Sequence, residues 1–95
     1  MHGEYKVPGG KLVVADVEVR DGRLRTVQIS GDFFLEPDSV LIDIDRALIG
    51  LPVDAGESVF SVAVEKAMAG AQAYGITAPG VAVAVVRALN SENPA

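Results

Sequence analysis

An α+β fold is predicted for this 95-residue chain, with a small antiparallel sheet preceding about three helices that pack on one of its faces. Three observations predict it. Apolar residues alternate with period two on both sides of an Asp-Gly pair near residue 21. From residue 37 onward the apolar spacing becomes helical. The strand-like segments also precede the helical ones, the order of an α+β layer in which helices cover one face of a small antiparallel sheet.

The hairpin is the clearest element. In LVVADVEV, residues 12 to 19, Val13, Ala15, Val17 and Val19 alternate with polar positions that include Asp16 and Glu18. Asp21-Gly22 supplies a turn that tolerates positive φ, and LRTVQIS follows with Leu24, Thr26 and Gln28 opposite Arg25, Val27 and Ile29. This gives strands over 12–20 and 23–30, with a short N-terminal strand near Tyr5 to Val7 before Pro8-Gly9-Gly10 breaks the chain. A first helix over 37–49 is read from Pro37 at its start, from Val40, Leu41, Ile44, Leu48 and Ile49 at helical spacing, and from Gly50 as its stop. In the next segment Phe60, Val62 and Val64 alternate as in a strand, whereas Phe60, Val64, Ala67 and Ala71 recur as in a helix. The continuation EKAMAGAQA favours the helix, over 57–73, with Gly75 beyond it. VAVAVV has strand propensity, yet Thr77 before Ala78-Pro79 reads as an N-cap, and Val81, Val85, Ala88 and Leu89 complete a helix over 78–90. Residues 91–95 read as a frayed polar tail to one domain spanning 1–95.

Composition narrows the function classes. Hydrophobic residues make up 49% of the chain, as in an ordinary globular protein rather than a disordered one. With no cysteine there is no disulfide, no thiolate nucleophile and no cysteine-ligated metal. The net charge of −5 lacks the basic footprint that nucleic acid requires, and no apolar run reaches membrane-spanning length. A soluble cytoplasmic protein is expected.

Few residues suggest chemistry. Pro8-Gly9-Gly10-Lys11 invites a phosphate-loop reading, but such a loop opens a helix, whereas Lys11 leads into a strand. A lysine presented to a nucleotide on another chain fits better. Asp43 and Asp45, two apart on a helix, diverge by about 200° and do not converge on one metal. His2 is read as a mobile terminal residue, and no Ser/His/Asp set is available. Gly31-Asp32-Phe33-Phe34 stands out, because neighbours on a strand face opposite sides and one ring can enter the core while the other stays available. Asp32 is suited to cap the turn or to pair with a lysine such as Lys11.

Taken together, Tyr5-Lys6-Val7-Pro8-Gly9-Gly10-Lys11-Leu12, the hairpin, Gly31-Asp32-Phe33-Phe34-Leu35 and the three helical segments resemble the C-terminal accessory domain of lipoate–protein ligases, over about residues 3 to 90. The pairing of K-x-P-G-G-K-L with G-D-F-F some twenty residues later is more specific than either motif alone. In many bacteria this domain is fused behind the catalytic one. Because Met1 directly precedes the motif, the chain is expected to be the separate small subunit of a two-part ligase, a form known in archaea and some bacteria. The resemblance implies a fold like that of sulfur-transfer scaffold proteins, without sulfur-transfer activity since cysteine is absent. It also implies a heterodimer with a catalytic subunit that holds ATP, magnesium and lipoate and forms lipoyl-AMP before transfer to lipoyl-domain proteins. This chain would bind no cofactor alone and would be inactive alone. Lys6, Pro8, Gly9, Gly10 and Lys11 would form the loop nearest the partner's active site, with Gly31, Asp32, Phe33 and Phe34 as the second element. The alternative is a non-catalytic binding or scaffold domain anchored through the GDFF corner.

Overall fold

Strands β1 (His2–Lys6), β2 (Leu12–Arg20) and β3 (Arg23–Gly31) form an antiparallel sheet in the order β1-β2-β3 in the computed structural model, which describes residues 1–91. The Asp21-Gly22 turn joins β2 to β3 as expected, with both residues at positive φ. Val13, Ala15 and Val17 of β2 are buried on the helix-covered face. On β3 the simple alternation fails, because Leu24 is buried together with Val27 and Ile29. The register steps from Glu18–Thr26 to Val19–Leu24, so Arg25 is an extra residue. Such a bulge reverses the facing of every residue beyond it and places Leu24 in the core.

A second, two-stranded sheet was not legible in the apolar pattern. Strand β4 (Phe34–Glu36) pairs antiparallel with β5 (Gln72–Tyr74), matching Phe34 with Tyr74. Helix α1 (Ser39–Leu48) starts two residues later than expected, because Pro37 lies outside it and Asp38 is the N-cap. Helix α2 (Glu57–Met68) ends five residues before the expected 73. Gly70 takes φ +81° and turns the chain, and Gln72 and Ala73, which suggested more helix, are drawn into the ladder with β4. Tertiary pairing overrides local propensity there. Helix α3 (Ala78–Asn90) matches the expected 78–90, and its Thr77 cap accepts a hydrogen bond from the Gly80 N–H at 3.0 Å.

Helix α3 crosses β1 and β2, α1 packs on β3, and α2 rests on α1 and α3. Being enclosed by the sheet on one side and α2 on the other, α3 buries Val81, Ala82, Ala84, Val85 and Ala88 around most of its circumference. That enclosure explains a helix made of VAVAVV: small and β-branched residues fill the enclosed space, and charge enters α3 only at the exposed Arg87. Phe60 and Val64 of α2 complete the core. At the C-terminal end Ser91 donates to the Ala88 carbonyl and accepts from the His2 N–H; the rest of the expected tail, 92–95, lies outside the described residues. No helix among the described residues is long and apolar enough to cross a membrane.

Candidate functional site

The PGGK segment is the connection between β1 and β2. The Gly10 N–H donates to the Val7 carbonyl at 2.8 Å, with Pro8 and Gly9 between them and Gly9 at φ +71°. Proline followed by a positive-φ glycine is the residue pattern of a type II turn. The Lys6 ammonium donates to the Gly10 carbonyl at 2.6 Å, and the Val7 N–H to the Lys11 carbonyl at 3.1 Å, so Lys6 is committed to shaping the loop. Lys11 is placed differently. Its N–H donates to the Gly75 carbonyl at 2.9 Å, and its aliphatic stem lies across Gly75, where a Cβ would come within 2.5 Å of the Lys11 Cγ. Glycine at 75, at φ +83°, thus forms the platform for Lys11. The exposed Lys11 ammonium has no hydrogen-bond or ion-pair partner among the described residues.

GDFF reaches the same place from the other side. Gly31 pairs with Val13 in the β2–β3 ladder, and a Cβ on Gly31 would meet the Leu12 carbonyl at 2.2 Å. Phe33 is half-buried against the core, whereas Phe34 is 52% exposed, so the two rings divide as expected. Asp32 is exposed and makes no side-chain bond to Lys11 or to any other described residue. The Phe34 ring lies 6.1 Å from the Tyr74 ring at a tilt of 44°, a favourable aromatic geometry, and Tyr74 is 62% exposed. Strand β5 therefore connects the motifs: its Tyr74 meets Phe34, and the next residue, Gly75, holds Lys11.

Tyr74 and Gly75 join this candidate surface without standing out in the sequence. The Gly70 stop followed by alternating Gln72, Ala73 and Tyr74 is the signal that marks them, and alanine propensity masks it. Lys6, Pro8, Gly9, Gly10, Lys11 and Gly31 to Phe34 all fall on this side of the molecule through the β2–Gly31 and β5–Lys11 contacts.

Two titratable groups outside this surface are perturbed. His2 is not a loose terminus: it lies in β1, with Nε2 2.7 Å from a Glu4 carboxylate oxygen and Nδ1 2.7 Å from one of Asp16. The bonds to Glu4 and then Asp16 raise its pKa above 6.5. Asp45 has its pKa raised by burial, opposed by the hydrogen bond its Oδ1 accepts from the Ile29 N–H at 3.0 Å, while Asp43 is exposed; the pair is split as helical geometry requires.

No protein-family model matches the chain, and no curated protein matches it significantly. A solved structure does. The fold superposes with a TM-score of 0.72 at 18% identity, over 90% of this chain and 92% of the other, on a chain from an archaeal lipoylation system of Thermoplasma acidophilum, described as a bipartite lipoate protein ligase and its E2 lipoyl domain. The near-equal shares mean that the two chains are of similar length. At this identity the match establishes the shared α+β fold.

Proposed function

We propose that this chain is the accessory subunit of a two-part lipoate–protein ligase, acting with a separate catalytic chain in the ATP-dependent activation of lipoate to lipoyl-AMP. One observation carries the reading: the two separated motif halves, PGGK and GDFF, converge through β5 on one exposed surface of a fold shared with a chain of a bipartite ligase system.

The geometry supports a division of labour. Lys6 ties the loop to itself, and the Lys11 backbone and stem are fixed on Gly75, so only the Lys11 ammonium extends outward. Adenylation develops negative charge on the α-phosphate and the departing pyrophosphate, and a pre-positioned cation from a second chain stabilises it. ATP, magnesium and lipoate belong to the catalytic chain in this reading. The Phe34–Tyr74 pair supplies an apolar anchor of the kind that dominates protein contacts.

The test mixes purified chain with its catalytic partner and follows lipoyl-AMP formation. The partner alone is expected to be slow and the mixture active; equal activity without this chain refutes the reading. Lys11→Ala should lower adenylate formation by about tenfold or more, while transfer from preformed lipoyl-AMP changes little. If a non-ligase protein is bound through Phe34 and adenylation is indifferent to the chain, the scaffold alternative holds instead.

A further inference from the structure

We infer that the groove between α1 and α2 is a second docking surface, and that its occupant is an amphipathic helix whose apolar stripe is flanked by acidic residues. The groove has a volume of about 630 Å³ and contains no residue of the PGGK–GDFF surface. Helix α2 is apolar on two sides. Phe60 and Val64 face the core, but Val59 and Val62 face outward, 43% and 51% exposed. A helix that covers only its own core needs one apolar stripe, so the second stripe lacks a partner among the described residues. Ala47, Ala63 and Ala67 line the floor, and side chains this small leave room for larger ones to enter from outside.

The rim specifies the charge of the occupant. Arg46 of α1 and Lys66 of α2 flank the groove, both exposed and without an ion pair among the described residues. Asp43 is the one acid lining it, so the rim carries net positive charge on a chain whose total is −5. Two free cations beside an apolar floor complement a helix with leucine-like anchors at i, i+3 and i+4 and carboxylates on either side. A second copy of this chain fits less well, because it brings the same positive rim and an overall repulsive charge. This inference stands apart from the lipoylation reading.

Two synthetic helical peptides of about fifteen residues, roughly four turns, serve as probes, with one leucine stripe in common and either glutamate or lysine flanks. They are titrated into the isotope-labelled full chain and followed by amide chemical shifts. The glutamate peptide is expected to shift Ala47, Val62, Ala63 and Ala67 and to bind about tenfold more tightly than the lysine peptide, with the difference shrinking at high salt. The double variant Arg46→Glu/Lys66→Glu should invert the preference, and Val62→Asp should abolish binding of both; circular dichroism melts verify that each variant is folded. Equal affinity for the two peptides overturns the inference. Shifts confined to β4 and β5 do so as well, as does a chain dimer in sedimentation that Val62→Asp dissociates.

Discussion

Gly3→Ala tests how β1 is held, and through β1 the loop that carries Lys11. Gly3 is buried in β1 directly against α3. A Cβ there would lie 2.3 Å from the Ala88 N, 2.4 Å from the Ala84 carbonyl oxygen and 2.8 Å from the Ala88 Cα. All three are backbone atoms, so no side-chain rotation relieves the clash and the strand must move off the helix. Overpacking of this kind costs about 1–3 kcal/mol, and unyielding backbone places it near the upper end. Alanine recovers roughly 0.5–1 kcal/mol from its lower entropy loss in a strand. The net loss is about 2 kcal/mol, which for a domain of this size lowers the melting temperature by roughly 8–16 °C. Separation of β1 from α3 also strains the Arg87 bond to the Glu4 carbonyl at 3.0 Å and the stacking of Arg87 over Tyr5 at 5.0 Å. Gly22→Ala is the control. Its Cβ meets nothing within 4 Å, so its cost is the positive φ of +74° alone, about 1 kcal/mol. Thermal melts followed by circular dichroism decide the matter. A Gly3→Ala melt within about 2 °C of the parent protein, or one no lower than that of Gly22→Ala, refutes the reasoning.

The histidine in the same strand predicts a pH dependence. Because the pKa of His2 is raised in the folded protein, its ion-pair contribution to stability is complete below the unfolded value of 6.5 and is lost as pH rises through the folded one. Denaturation midpoints should therefore fall between mildly acidic and alkaline pH by a margin that His2→Ala removes; an identical pH dependence in the variant refutes the assignment. At the aromatic pair, Phe34→Ala removes a ring that is half in solvent and should lower the melting temperature by only a few degrees, since exposed sites change stability by about 0.5 kcal/mol. Its larger effect is expected on affinity for the proposed catalytic partner, by about tenfold or more in a calorimetric titration, as for an interface anchor. Unchanged affinity would place the interface elsewhere.

Much of the architecture follows from the sequence without tertiary information. Alternation around Asp21-Gly22 determines the β2–β3 hairpin, and Thr77 with Pro79 determines where α3 begins, because turn geometry and capping are settled by a few adjacent residues. The split between Phe33 and Phe34 is likewise local, a consequence of strand pleat. The bulge at Arg25, the end of α2 at Met68 and the β4–β5 ribbon are not. Each is decided by pairing with another element: β2 sets the register of β3, and β4 captures Gln72 and Ala73, which alanine propensity would have left helical, together with Tyr74. The same holds for the site. The sequence alone marks PGGK and GDFF as unusual and assigns Lys6 and Lys11 to one loop. Only the fold distinguishes the two side chains: Lys6 turns back onto the Gly10 carbonyl, and Lys11 lies across Gly75, held by a backbone bond that spans more than sixty positions and cannot be read from local pattern.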